Sequence, residues 1–351
     1  MKIRTDASLY LSATLLLVFA LSFWAGLRGL DGADTEVYLL FYQKLIDEGI
    51  IGIQSCQSFE PVFCGLSLAA SYALGSSILV QYFWVFLYFA VTHRAFSILY
   101  GLAFPEYKFR FVALLYFAFI AINYVDPQIV FFLTRQYVAS AFLMLGFAKI
   151  ASDKNPSINF LIATLIHFGA FPIALIAYIC SRRFELRWWY LIPIFGLAFF
   201  IFYFIDTYIF EVYFESLKYK MMEYSDKNDG TVTLTQELKL FIYWGLSIWF
   251  FLRSRLRLVL ALIFIYLFYL GTGFNELIHL RYYKYLESMS WPSALMFVFL
   301  FKREAPCIIA AALSLRIYKY LTLISPESSI FYPLVFLAGH VLSLPLSLLG
   351  F

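Results

Sequence analysis

Long apolar runs separated by short polar interruptions fill the chain from Leu9 to the last residue. A helix needs about 20 apolar residues to cross the hydrocarbon core of a bilayer, and windows of that length recur throughout. The pattern predicts an all-α, polytopic integral membrane protein with about 10 to 12 transmembrane helices. The predicted spans cover residues 8–27, 61–77, 79–99, 110–123, 129–150, 158–180, 188–205, 237–252, 257–274, 287–301, 305–323 and 329–349.

The first apolar run follows Lys2 and Arg4, as the apolar core of a signal peptide would. Its apolar core is longer than the roughly 7 to 15 residues typical of signal peptides, and no small-residue cleavage site follows it. We expect this run to remain as the first transmembrane helix, with the N-terminus in the cytoplasm.

Composition supports a membrane protein and excludes other classes. The chain is 63% hydrophobic and 21% aromatic, and its mean hydropathy is +0.80, which is outside the range of a soluble globule. No internal repeat and no long Gly/Ser or Pro linker divides the chain, so residues 1–351 are expected to form a single integral membrane domain. Because the chain has no soluble basic module, nucleic acid is not expected as a partner.

The distribution of Lys and Arg, rather than the net charge of +4, orients the predicted spans. Three tight basic turns are expected to be cytoplasmic: Arg182, Arg183 and Arg187, then Arg253, Arg255 and Arg257, then Lys302 and Arg303. The loops near 206–237 and 275–287 lie between these turns and are therefore expected to face outward. The loop near 28–60 is also expected to face outward, because it follows a first span whose N-terminus is expected in the cytoplasm. In the N-terminal half the rule does not decide the topology, because strict alternation would place Lys108 and Arg110 outside.

The first outward loop contains an amphipathic pattern. Val37, Phe41 and Leu45 fall on one helical face, and Glu36, Gln43 and Asp47 fall on the other. This predicts a helix that lies on the membrane without crossing it. The loop 206–237 is similar in kind, and either a lid over a cavity or a plain connector would have its composition.

The four cysteines do not have the spacing of a metal site. Cys180 and Cys307 fall in or near predicted spans, while Cys56 and Cys64 flank Glu60 beside an outward segment. A disulfide between Cys56 and Cys64 would be stable in an oxidising periplasm. Independent buried thiols are the favoured expectation.

Cationic residues interrupt the apolar pattern in two places. Arg135 and Gln136 lie in the predicted span 129–150, and His279, Arg281, Lys284 and Tyr285 lie between two apolar segments. A charge at such depth costs several kcal/mol by insertion scales, about 3 kcal/mol at a span centre, so it usually lines a cavity and meets an anionic partner. Arginine also binds phosphate in a bidentate manner, which favours an anionic ligand, although interfacial anchoring of a helix end remains the alternative.

Three residues are candidates for acid-base chemistry: Asp34, Glu60 and His167. Each has a structural alternative, because Asp often caps a helix, a carboxylate is favoured at a helix N-terminus, and His can be satisfied by a neighbouring helix. Gly169 and Pro172 follow His167 and predict a kink or break in the span 158–180, which membranes tolerate around a protein-lined cavity. The sequence has no nucleophile elbow, phosphate-binding Gly loop or zinc ligand pattern, so any catalysis is expected to be metal-independent and to use no cofactor.

Five short motifs in order resemble the EpsG and Wzy-type polysaccharide polymerases over roughly the whole chain. They are Gly32-Ala-Asp34-Thr-Glu-Val-Tyr38, Phe59-Glu60-Pro61-Val62-Phe63, Thr134-Arg135-Gln136-Tyr-Val-Ala139, Leu165-Ile-His167-Phe-Gly-Ala170 and Arg281-Tyr282. One departure is Ala33, which stands where the family's tag is glycine-rich and leaves the carboxylate of Asp34 in place.

The resemblance implies an enzyme of the bacterial inner membrane with a GT-C-like fold and a periplasmic active site. Such enzymes transfer a growing glycan from undecaprenyl pyrophosphate to the non-reducing end of a new carrier-linked repeat unit, in O-antigen (lipopolysaccharide), capsule or exopolysaccharide synthesis. The implied partners are the undecaprenyl-pyrophosphate-linked oligosaccharide, membrane lipid and a chain-length regulator protein.

These implications assign roles to the candidate residues. Arg135 and Arg281 are expected to bind the pyrophosphate, with Gln136, Lys284 and Tyr285 in support. The base that deprotonates the acceptor hydroxyl is expected to be Asp34, Glu60 or His167, in that order of preference.

Two other function classes remain open at this stage. A transporter or flippase of lipid-linked oligosaccharides would also need buried cations and a large cavity, although such folds commonly show two related halves, which this sequence lacks. A related lipid-linked-sugar glycosyltransferase or an O-antigen ligase would share the donor chemistry.

Overall fold

The computed structural model describes residues 2–26, 33–49, 59–105, 110–123, 130, 133–181, 232–252, 256–274, 276–300 and 305–323. Within these ranges the chain is all-α, with no strand, as the hydropathy pattern predicts. The helices are α1 (Lys2–Gly26), α2 (Ala33–Glu48), α3 (Pro61–Leu74), α4 (Ser77–Ala103), α5 (Arg110–Asn123), α6 (Thr134–Ala151), α7 (Ser157–Ile166), α8 (Phe171–Ser181), α9 (Leu234–Leu252), α10 (Leu256–Gly271), α11 (Glu276–Met289), α12 (Pro292–Leu300) and α13 (Ala305–Leu323). Two 3-10 turns, Phe168–Ala170 and Thr272–Phe274, adjoin α8 and α10.

Two of the described helices are long and apolar enough to cross a membrane, over Ser8–Gly26 and Ser77–Ala103. Shorter apolar helices cover Pro61–Leu74, Val112–Asn123, Ser157–Ile166, Phe168–Ser181 and Leu258–Gly271. These segments coincide with predicted spans. The predicted spans 188–205 and 329–349, the three basic turns except Arg257, and most of the loop 206–237 lie outside the described residues.

Helix α6 lies at the centre of the described fold. It packs against α4, α7 and α11, and its buried positions surround the whole helix, including Gln136, Ser140 and Ala141. A helix that is buried on all sides exposes no face to water or lipid, so α6 is the central helix of the described bundle. Small residues allow its neighbours to approach closely.

The closest of these approaches is at Gly146 of α6. A Cβ atom built at Gly146 would lie 2.3 Å from Cε1 of Phe160 in α7. Phe160 is itself buried, at 4% exposure, so its ring has little room to move. The crossing of α6 and α7 therefore depends on glycine at this position.

Helix α2 confirms the prediction of a helix in the first outward loop but corrects its buried face. Val37 was assigned to the apolar face, yet it is 54% exposed. The residues that pack inward are Thr35, Tyr38, Phe41, Tyr42 and Leu45. The buried face is rotated because Tyr38 packs against Phe59 and Tyr42 packs against Phe63 of α3.

The predicted break beside His167 is confirmed. Helix α7 ends at Ile166, His167 has an extended backbone (φ −153°, ψ 113°), and a 3-10 turn leads into α8 at Phe171. Pro172 lies at the start of α8, where its missing N–H leaves no helical hydrogen bond unmade. The predicted span 158–180 is thus two half-helices.

The favoured expectation of independent thiols is wrong at Cys64, which is disulfide-bonded. Cys180 is a free buried thiol and Cys307 is a free exposed one. Cys56, the alternative partner that the sequence suggested, lies outside the described residues. The loop 275–287 is largely the helix α11, which extends to Met289, so α12 begins only at Pro292.

We expect Gly146→Ala to destabilise the folded protein, because the added methyl group would overlap the Phe160 ring. Overpacking of this kind costs about 1 to 3 kcal/mol. The measurement is the midpoint of thermal unfolding of the detergent-solubilised protein. Gly245→Ala is the matched control, because a Cβ there meets nothing within 4 Å. An equal loss of stability in both variants would contradict the close crossing.

Candidate functional site

The candidate site is built where three helical segments begin. Glu60 immediately precedes α3, Arg135 is the second residue of α6, and His167 lies in the break between α7 and α8. Arg135 Nη1 donates to Glu60 Oε2 at 2.8 Å, and the backbone N–H of Phe168 donates to Glu60 Oε1 at 3.2 Å. One carboxylate therefore connects segments that are 75 and 108 residues away in sequence.

Glu60 does not act as a helix cap, although it occupies the N-cap position of α3. Its side chain makes no capping hydrogen bond to that helix and turns to Arg135 instead. Glu60 is buried, at 8% exposure. The Glu60 carboxylate is thus stabilised by the Arg135 guanidinium and by the backbone N–H of Phe168, which has no acceptor within its own helical segment.

Arg135 is enclosed by aromatic side chains. Its Nε donates to the hydroxyl of Tyr38 at 3.1 Å, and its guanidinium carbon lies 4.7 Å from the ring centroid of Phe59 and 5.7 Å from that of Phe63. A planar guanidinium over aromatic faces is further stabilised by the cation–π attraction. Sequence analysis placed Arg135 inside a span, whereas α6 begins only at Thr134, so the charge sits at a helix end.

Helix α11 forms the opposite side of the site. Gln136 Nε2 donates to the backbone carbonyl of Arg281 at 2.6 Å, which fixes α11 against α6. The Arg281 side chain is exposed, and it is close enough to His167 and Tyr285 for its charge to act on both. Arg281 has no ion-pair partner among the described residues. Arg281 is therefore a cation available to a ligand.

Tyr285 lies one helical turn after Arg281 in α11 and contacts His167. Its ring lies edge-on to the His167 ring, with 5.9 Å between the centroids. The side chain is 1% exposed, and its hydroxyl has no hydrogen-bond partner among the described residues. Burial raises the pKa of Tyr285 well above its usual value, so the hydroxyl keeps its proton. A buried hydroxyl without a partner is costly unless a ligand or water completes it.

His167 is oriented by its own turn. Its Nδ1 accepts a hydrogen bond from the backbone N–H of Gly169 at 3.0 Å, so a neutral imidazole must carry its proton on Nε2. In this arrangement His167 is a donor toward a ligand. Two guanidinium groups and one carboxylate then leave one positive charge uncompensated among these described side chains.

The predicted site residues are not all brought together. Glu60, Arg135, Gln136, His167, Arg281 and Tyr285 converge, whereas Lys284 does not contact them. Lys284 pairs with Glu287 at 3.1 Å. Asp34 is the second residue of α2, one turn before Tyr38, and its side chain lies outside the described residues.

Lys284 belongs to a different polar cluster, on the face of α11 that packs against α9 and α10. Glu287 also accepts from the Tyr283 hydroxyl at 3.2 Å and from Lys239 of α9 at 3.5 Å. Further along this face, His279 Nε2 lies 2.6 Å from Glu237 Oε1. These contacts anchor α11 to α9.

Sequence reasoning gave no role to three aromatic residues that enclose Arg135, namely Tyr38, Phe59 and Phe63. All three lie in motifs that carry the family resemblance. The available signal was that aromatic residues flank the two carboxylates, Asp34 and Glu60, within four positions. An aromatic enclosure is the usual surrounding of a desolvated guanidinium.

Among the described residues no three His, Cys, Asp or Glu side chains converge as a metal site. No family model matches the chain, and no curated protein or solved structure matches it.

We expect a double-mutant cycle of Glu60→Gln and Arg135→Gln to show strong coupling. Each single change leaves one charge without its partner, while the double change leaves none, so the coupling energy should be about 1 to 3 kcal/mol. The measurement is the free energy or midpoint of unfolding in detergent. The control pair is Lys239 with Glu287, because Lys239 is 48% exposed and exposed pairs couple by less than about 1 kcal/mol. Additive effects at Glu60 and Arg135 would contradict the ion pair.

Proposed function

We propose that this chain is a polytopic enzyme of the bacterial inner membrane that polymerises lipid-linked glycan repeat units. The growing glycan is transferred from undecaprenyl pyrophosphate to the non-reducing end of a newly flipped, carrier-linked repeat unit. The observation that carries the proposal is the position of Arg281 beside His167 and Tyr285 and near the paired Arg135, with no ion-pair partner for Arg281 in the described part of the chain.

The membrane part of the proposal rests on the apolar helices and on the broken one. Two described helices have the length and composition of spans, and five shorter apolar helices accompany them. Backbone that leaves the helical conformation at membrane depth is tolerated where protein or a wet cavity surrounds it. The break at His167, surrounded by Glu60 and α11, has this arrangement.

The donor's charge explains why arginine is needed. A pyrophosphate carries several acceptor oxygens and gains negative charge as the glycosyl bond breaks, so fixed cations in a desolvated site stabilise the transition state. Arg281 and Arg135 supply the guanidinium groups, while His167 Nε2–H and the Tyr285 hydroxyl are donors nearby. Aromatic side chains along α2 and α3 provide apolar surface.

The reaction requires no change of oxidation state. The acceptor hydroxyl loses its proton to a base, its oxygen forms a bond to the anomeric carbon of the donor, and the bond from that carbon to the pyrophosphate oxygen breaks. The electron pair leaves with undecaprenyl pyrophosphate. Asp34 and Glu60 are the carboxylates proposed as the base. The Nε2–H of His167 supports a role for it among the groups that contact the leaving anion.

The disulfide at Cys64 supports an outward-facing site. Cys64 follows Glu60 by one helical turn, and disulfides persist in oxidising compartments such as the periplasm. This agrees with the outward orientation that the basic turns predict for the loop 275–287, and with the outward loop 28–60 expected after a first span that begins in the cytoplasm.

In a deletion strain we expect the intact gene to restore a glycan ladder and Arg281→Ala to leave single repeat units. Loss of one transition-state donor costs about 100-fold or more in rate. The measurement is a glycan gel with protein levels checked in membranes. Lys239→Ala is the control, because it removes an exposed cation outside the site and should retain the ladder. A full ladder from Arg281→Ala would contradict its role, and loss of every repeat unit on deletion would indicate export or ligation.

We expect a cysteine at Leu234 to react with a membrane-impermeant maleimide from outside the cell. Leu234 begins α9, next to the predicted outward loop, and is 77% exposed. The experiment uses a background in which the free thiols Cys180 and Cys307 are replaced by Ala. Reaction only in inverted membrane vesicles would place this end of α9, and the adjoining α11, in the cytoplasm.

A transporter of lipid-linked oligosaccharides is a second candidate, and the broken helix favours it. Discontinuous spanning helices whose half-helix N-termini point at an anion are typical of transporters, and Phe168 begins such a half here. Purified protein in liposomes separates the two functions. A transporter moves the single unit between leaflets without lengthening the glycan, whereas a polymerase yields longer glycan and free undecaprenyl pyrophosphate.

A further inference from the structure

The Glu60 carboxylate occupies groups that usually bind an anionic ligand. One of its oxygens accepts from the Arg135 guanidinium at 2.8 Å, and the other accepts from the backbone N–H of Phe168 at 3.2 Å, where the second half of the broken helix begins. A guanidinium and a backbone N–H at the start of a helical segment both bind phosphate in many proteins. Glu60 fills both of them at once.

Arg281 and Tyr285, on the α11 side of the site, lie near the groups that Glu60 occupies. Arg281 is exposed and without an ion-pair partner in the described part of the chain, and the Tyr285 hydroxyl is unpartnered there at 1% exposure. Both lie within electrostatic range of His167, as Arg135 does. The Arg135 side chain is still 24% exposed, so a ligand can reach it.

We propose that Glu60 is an internal competitor for the anion site: it holds Arg135 in the ligand-free protein, and a phosphate group of the donor displaces it. The proposal rests on the proposed function, because it concerns the same pyrophosphate. A pyrophosphate bridges Arg135 and Arg281, whereas the carboxylate reaches only Arg135. The ligand therefore replaces one charge-assisted contact with two.

The exchange gives Glu60 a second state. While paired, both carboxylate oxygens accept hydrogen bonds and neither faces an acceptor hydroxyl. Once displaced, the carboxylate is released beside the bound donor, where it can accept the proton of the attacking hydroxyl. Activation of the acceptor is thereby coupled to donor binding, and a site without donor does not activate a hydroxyl or a water.

The affinity of inorganic pyrophosphate, measured by calorimetry on the full chain in lipid nanodiscs, tests this proposal. Removing an internal competitor raises the apparent affinity by the inverse of the fraction of protein with a free site, so Glu60→Gln should bind pyrophosphate at least about tenfold more tightly than the unsubstituted protein. Arg281→Gln should bind it more weakly. If Glu60 only positions Arg135, Glu60→Gln should instead bind pyrophosphate more weakly than the unsubstituted protein, because Arg135 would be misplaced.

Two further variants separate competition from a change in net charge or a folding defect. Glu60→Asp keeps the charge but is one methylene shorter, so it cannot hold both Arg135 and Phe168 N–H, and it should also bind pyrophosphate more tightly. Glu287→Gln removes a carboxylate paired with Lys284 and Lys239, away from Arg135, and should change the affinity by less than about twofold because distant charges are screened.

The outcomes distinguish the exchange from the function on which it rests. If Arg281→Gln weakens pyrophosphate binding while Glu60→Gln and Glu60→Asp do not tighten it, the exchange is wrong and the anion site stands. If no variant binds pyrophosphate and Arg281→Gln equals the unsubstituted protein, the anion site of the proposed function is wrong as well.

Discussion

The ion pair between Arg135 and Glu60 is the interaction on which the rest of the site depends. Neither charge is tolerated alone among apolar helices, because desolvation of an unpaired ion costs several kcal/mol, about 3 to 5 when one partner of a buried pair is removed. The pair fixes the segment before α3 against the start of α6, and the second carboxylate oxygen fixes the broken helix. Three chain segments thus meet at one carboxylate.

Helix α11 completes the junction because it has two polar faces. One face presents Arg281 and Tyr285 toward His167, and Gln136 of α6 holds its backbone. The other face joins α9 through the Glu237–His279 and Lys239–Glu287 contacts. Thr272 Oγ1 lies 2.6 Å from the Tyr269 carbonyl and donates its one proton there, so His279 Nδ1 donates to Thr272 at 3.2 Å.

Much of the fold was predictable because helix positions follow from hydropathy alone. The break at His167 was predictable too, since Gly169 and Pro172 disfavour an unbroken helix. The convergence of Glu60, Arg135, His167 and Arg281 agrees with the residues chosen from the sequence, but their pairing was not predictable. A contact across 75 residues depends on how helices pack, which local patterns do not encode. The same limit explains the exposed Val37, the disulfide-bonded Cys64 and the position of Lys284 beside Glu287.

We propose that this junction binds the pyrophosphate of a lipid-linked glycan. The most direct test is a cryo-electron microscopy structure of the protein in nanodiscs with undecaprenyl pyrophosphate. We expect phosphate density between Arg281 and Arg135, with the Glu60 carboxylate moved away from Arg135. Phosphate density elsewhere, with the Arg135–Glu60 pair unchanged and Arg281 unoccupied, would contradict it.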